Sequence, residues 1–138
     1  MQSGLKYIER KTDGLRGIGR IARVSCSKSG KTIYYSGQTF SSLAGYALKA
    51  NYFDDETFEE YWISNPRRDG NDSLFPMVIE IDQDAREEYW NDIRRLPGNS
   101  EQSEYSSAGK SKQEREKIEK SVRRHDMDRR FRAPREGG

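Results

Sequence analysis

Between residues 18 and 43 the chain reads IGRIARVSCS, then TIYYS, then QTFSSL, three short stretches parted by SKSGK and by Gly37. In the first, Ile18, Ala22, Val24 and Cys26 fall on one side of an extended strand and Arg23, Ser25 and Ser27 on the other, with Ile21 breaking the pattern. The second and third are rich in β-branched and aromatic side chains, which suit a pleated, half-buried surface. Period-two patterning interrupted every few residues by turn formers commits this part of the chain to short antiparallel strands with one buried face.

Similar runs lie on either side. LKYIER, residues 5 to 10, places Leu5, Tyr7 and Glu9 on one side and Ile8 on the other. FEEYWISN, residues 58 to 65, ends at Asn65-Pro66, where the proline ring forces its predecessor toward extended geometry. Asp69-Gly70 then predicts a hairpin turn, with MVIEI at 77 to 81 as the returning strand. Residues 44 to 57, AGYALKANYFDDET, mix helix formers with Gly45, Asn51 and paired aspartates and read as a loop with one helical turn. A helix is predicted over about residues 83 to 96. Asp82 can cap it, Asp84 suits its positive end, and Ala85, Tyr89, Ile93 and Leu96 make an apolar stripe before Pro97-Gly98 stops it. Five or six strands followed by a helix define an α+β, mostly β fold, either a small antiparallel sheet or an SH3-like open barrel.

Composition sets the domain boundary. The chain is 32% hydrophobic and 35% charged, and from residue 98 to 138 its large apolar side chains are Tyr105, Ile118, Val122, Met127 and Phe131. So few cannot offset the entropy of ordering that segment. The expected organisation is a compact domain over 1–97 and a disordered or marginally helical charged tail over 98–138. The tail opens on the linker-like GNSEQSEYSSAGKSK and holds a thin seam of Glu114, Ile118, Val122 and His125 between Lys112 and Arg130.

Gly30-Lys31-Thr32 resembles the end of a phosphate-binding loop. That loop demands G-x-x-x-x-G-K-[ST] between a strand and a helix, so that backbone amides converge on the phosphates. Here Ser25 stands where the first glycine belongs and Ile33-Tyr34-Tyr35 follows instead of a helix, so SKSGK reads as a hairpin turn, with Ser29-Gly30 supplying positive φ angles. No other catalytic signature emerges. The sole histidine, His125, is in the tail, and Cys26 lies on an inward strand face, which suits a buried inert thiol. One cysteine and one histidine do not make a closed zinc site. Asp54, Asp55, Glu56, Glu59 and Glu60 lack calcium-loop spacing and read as a solvated acidic rim. The expectation is a chain with no catalytic residue, no metal and no cofactor.

Charge is segregated along the sequence. Residues 1 to 31 carry eight basic side chains against Glu9 and Asp13, while residues 54 to 92 carry thirteen acidic ones against Arg67, Arg68 and Arg86. Either these halves neutralise each other through space or each meets a partner. Arg16, Arg20, Arg23, Lys28 and Lys31 with Tyr34 and Tyr35 form a candidate nucleic-acid site, since phosphates need the cations and unpaired bases stack on the rings. Tyr61, Trp62 and Arg67, residue types that anchor interfaces, form the candidate site of the alternative, a protein-interaction module such as an adaptor, immunity or inhibitor protein. The absence of an 18-residue apolar run and of a signal-peptide pattern gives the expectation of a cytoplasmic chain that does not engage a membrane.

RIARVSCSKSGKTIYYSGQTFSSL, KANYFDDETFEEYWISN, the DG at 69 to 70 and IDQDAREEYW together resemble a group of small bacterial proteins that share such segments. The resemblance spans roughly residues 5 to 97 and excludes the tail. It implies a bacterial, cytosolic, free-standing small domain, and it brings no activity, ligand or catalytic residue with it. The reading from sequence is therefore a non-catalytic binding module, with RNA or single-stranded DNA as the first partner and a protein as the second.

Overall fold

The computed structural model describes residues 2–11, 19–47 and 50–110, the side chains of 44–47 excepted. Eight strands, β1 (Gln2–Arg10), β2 (Gly19–Cys26), β3 (Thr32–Tyr35), β4 (Gln38–Ala47), β5 (Ala50–Asp54), β6 (Glu60–Ser64), β7 (Met77–Ile81) and β8 (Glu104–Ser107), join in the order β1-β6-β5-β4-β3-β2-β7-β8. A further antiparallel ladder from Gln2↔Cys26 to Glu9↔Gly19 joins β1 to β2. That ladder closes the first six strands into a barrel, which removes their edges. The fold is the mostly β one read from the sequence, a small barrel of SH3-like kind with one helix.

β2 connects the barrel to everything else. Its C-terminal end pairs with β3 through Ser25↔Tyr34 and Cys26↔Ile33, while Gly19, Arg20 and Ile21 run parallel to Ile79, Glu80 and Ile81 of β7. β8 completes the layer antiparallel to β7. The hairpin expected between β6 and β7 does not form. β6 has both edges taken, by β1 and β5, so the chain crosses instead to the part of β2 that β3 leaves uncovered. The Asp69-Gly70 turn survives locally, with Gly70 at φ 78 and its N–H on the Arg67 carbonyl at 3.2 Å.

Because β1 and β2 are covered on both faces, the domain has two cores. The barrel interior holds Ile8, Ala22, Val24, Ile33, Phe40 and Ile63, with Cys26, Tyr35, Tyr52 and Tyr61 partly buried around them. The second core, between the outer face of β1–β2, strands β7–β8 and the helix, holds Leu5, Tyr7, Ile21, Ile79, Ile81, Ala85, Tyr89, Trp90 and Tyr105. Ile21 breaks the alternation because its face of β2 is roofed over. Fully burying an isoleucine, valine, leucine or phenylalanine of these cores contributes on the order of 1.5–3 kcal/mol.

Three local expectations are corrected. Residues 44–47 and 50–54, expected in a loop, are strand: β4 runs on to Ala47, which pairs with Ala50 of β5 after a register shift, and the turn is held to 55–57, closed by the Phe58 N–H on the Asp54 carbonyl at 2.8 Å. Helix propensities of a few tenths of a kcal/mol per residue give way to two long paired strands. The helical segment covers residues 83–93 as a 3-10 turn (Gln83–Ala85), an α turn (Arg86–Glu88) and a π turn (Tyr89–Ile93). The widened π turn carries both Tyr89 and Trp90 into the core, leaves Leu96 44% exposed beyond the helix, and Asp82 makes no capping bond. Finally, residues 98–110 are part of the domain, since β8 pairs with β7 and Tyr105 is 6% exposed. Residues 111–138, including the predicted seam, lie outside the described residues.

Candidate binding surface

The SKSGK segment is a hairpin loop. Ser27 donates its N–H to the Thr32 carbonyl at 3.0 Å, Gly30 donates to Ser27 at 2.9 Å, and Thr32 opens β3 rather than a helix. Gly30 takes φ 73 and Ser29 takes no positive φ. The loop presents the exposed Lys28 and Lys31, which meet no acidic side chain among the described residues.

The arginines of the same strand are committed elsewhere. Arg20 forms ion pairs with Asp82 at 2.5 Å and Glu80 at 3.0 Å, and its hydrogen bond to Asp82 raises its pKa further. Arg23 pairs with Glu88 at 2.9 Å and reaches the Asp84 carbonyl at 3.3 Å. The basic and acidic halves thus neutralise each other at these two positions. Tyr35 is drawn into the same cluster, donating its hydroxyl to Asp82 at 2.5 Å; burial, then that bond, push its pKa up to about 12. Arg16 lies outside the described residues. Of the predicted nucleic-acid set the fold brings together Lys28, Lys31 and Tyr34, whose ring is 39% exposed on the outer face of β3, flanked across the ladder by Ser25 and Thr39.

The predicted protein-interface residues each make contacts within the domain and are half-buried. Tyr61 turns into the barrel, its ring edge-on to Phe40 at 4.7 Å. Trp62 is half-buried against the second core, opposite Glu9, and its sheltered Nε1 has no acceptor among the described residues. Arg67 closes its own turn through two bonds to Asp69, at 3.0 and 2.7 Å.

Two buried polar groups escaped sequence reasoning. Glu9, 2% exposed, accepts from the Tyr7 hydroxyl and the Lys11 ammonium. Asp72, 1% exposed, accepts from Tyr105 at 2.8 Å and from the Arg67 N–H at 2.7 Å; burial raises its pKa against those bonds. Both sit in structural networks. A cleft of about 330 Å3 is lined by Arg20, Glu80, Asp82, Arg86, Ser103 and Glu104, among others. Its charges are of both signs, which gives it little selectivity for an ion of either. Among the described residues no group of three or more His, Cys, Asp or Glu side chains is placed to hold a metal ion.

Also missed was an aromatic pair on the outer surface. Phe53 points outward from β5, between Ser41 and Glu60 in the ladders, and Phe58 stacks beside it with centroids 6.4 Å apart and planes at 15°. Phe58 is 73% exposed and holds φ 61, a left-handed conformation costly for a bulky side chain. The turn is fixed by Asp54, whose carboxylate accepts the N–H groups of Glu56 at 2.8 Å and Thr57 at 3.1 Å. Sequence pattern placed Phe58 inside the strand; the signal against that was the Asp-Asp-Glu-Thr run before it. No family model, no curated protein and no solved structure matches the chain.

Proposed function

We propose that the domain is a non-catalytic binding module that takes single-stranded nucleic acid on the outer face of the β2–β3 hairpin. The reading is supported by one observation: an exposed ring, Tyr34, stands on the same hairpin as two lysines that have no acidic partner among the described residues. Lys28 and Lys31 would hold phosphates, and a base would stack on Tyr34, a contact worth about 1–3 kcal/mol. Arg20 and Arg23 serve the fold.

With two lysines engaged, the logarithm of the affinity for a single strand should fall with the logarithm of salt at a slope of about −1.4, or roughly sevenfold between 50 and 200 mM. Fluorescence anisotropy with labelled oligo(U) and oligo(dT) measures it. Lys28→Glu with Lys31→Glu should abolish binding with the melting temperature unchanged, and Tyr34→Ala should weaken it at least fivefold. An absence of binding at micromolar protein and low salt, or a lysine double variant that binds like the parent, overturns the reading.

A further inference from the structure

The acidic turn between β5 and β6 combines three features. Its Phe58 ring is 73% exposed. Its backbone is held at φ 61, where glycine would sit without strain. Asp55 and Glu56 beside it are exposed and meet no cation among the described residues, the Asp55 carboxylate being bonded to the Ser41 hydroxyl at 2.6 Å. Strain kept at an exposed aromatic points to recognition. An apolar pair rimmed by carboxylates suits an apolar anchor flanked by cations and disfavours a phosphate backbone.

The same chain carries a segment of that composition. Residues 123–135 read RRHDMDRRFRAPR, six arginines against two aspartates, with Phe131 between Arg130 and Arg132. Phe131 lies 21 positions beyond Lys110, the last described residue. Twenty-one residues reach roughly 70 Å when extended. A domain of this size has a radius of gyration of about 13 Å, so the connection is long enough to reach any point on its surface.

We propose that the Phe53–Phe58 pair is the docking site for this arginine-rich segment of its own chain, with Phe131 set against the stacked rings and Arg130 and Arg132 facing Asp55 and Glu56. The contact is intramolecular, and its turn is one strand away from Tyr34, since the Asp55 N–H donates to the carbonyl of Thr39, the ladder partner of Tyr34; removing nucleic acid therefore separates its test from that of the binding face.

The test uses the full chain, treated with nuclease, with Phe131→p-benzoylphenylalanine as a photo-crosslinker and mapping by mass spectrometry. At about 1 μM protein the products should be monomeric and concentrated on residues 51–60. Phe58→Gly, which relieves the backbone, should reduce them roughly fivefold. Asp55→Lys with Glu56→Lys, both on the surface, should do the same should the glycine variant not fold. Crosslinks spread evenly over the domain, crosslinks at the turn that neither variant reduces, or a product that is mainly a dimer would each overturn the proposal, the last in favour of a second copy as occupant.

Discussion

Gly70 gives the sharpest test of how the barrel is joined to its second layer. It has φ 78, and a Cβ there would lie 2.4 Å from Arg94 Nη1 and 2.6 Å from Cζ. That guanidinium is packed over three rings, 5.1 Å from the centroid of Tyr105, 5.2 Å from Trp90 and 5.9 Å from Tyr89, and donates to the Tyr89 hydroxyl at 3.1 Å. Gly70→Ala therefore acts twice. A left-handed residue with a Cβ costs about 1–2 kcal/mol, and displacing the guanidinium from the rings about 1–2 kcal/mol more. Reduced freedom of the unfolded chain offsets about 0.5–1 kcal/mol. The net loss is about 2–3 kcal/mol, or a melting temperature lower by about 10 °C. Urea unfolding followed by tryptophan fluorescence, in the parent, Gly70→Ala, Arg94→Ala and the double variant, isolates the contact. Without the guanidinium the Gly70 substitution should cost about 1 kcal/mol, leaving a coupling of about 1–2 kcal/mol. Equal costs in both backgrounds, within about 0.5 kcal/mol, would refute the claim that this turn is shaped around Arg94.

Other positions give simpler expectations. Gly19→Ala would place a Cβ 2.5 Å from the hydroxyl of the fully buried Tyr7 and 2.8 Å from its ring, so a loss of about 1–3 kcal/mol is expected in urea unfolding; a change under about 0.5 kcal/mol contradicts the packing. Asp82→Asn weakens the acceptor shared by Arg20 and Tyr35 and should cost about 1–2 kcal/mol by thermal melting. The Thr57 N–H, opposed by burial and aided by the Glu56 N–H and Gln38, holds the Asp54 pKa below its ordinary 3.8. A depressed folded pKa means that this carboxylate's stabilisation is present above about 3.8 and is lost as pH falls through the folded value. Unfolding titrations from pH 5 to 2 should show that loss in the parent and a flatter profile in Asp54→Asn.

Much of the fold was legible because its signals are local. Alternation in 18–43, Gly37 and Gly30 at tight turns, and the apolar stripe from Ala85 each arise within a few residues, so strands β2 and β3, the start of β4, their hairpins and the helix could be read one at a time. The candidate site was only partly legible. Clustering of basic residues in sequence picked out Lys28, Lys31 and Tyr34, but also Arg20 and Arg23, whose partners Glu80, Asp82 and Glu88 lie some sixty positions away.

What the sequence determined alone is the character of each short stretch: extended or turning, which side of a strand is apolar, and that GKT opens a strand. Tertiary structure decided which strands meet. With β1 and β5 on its two edges β6 has no edge left for β7, which pairs with β2 instead and puts the acidic residues of β7 and the helix against Arg20 and Arg23. It also turned a second face of β2 into core, claiming Tyr105 from the presumed tail. The reason is geometric. Strand pairing and charge neutralisation act between residues far apart in the chain, and period-two patterning names a strand's faces without naming its neighbours.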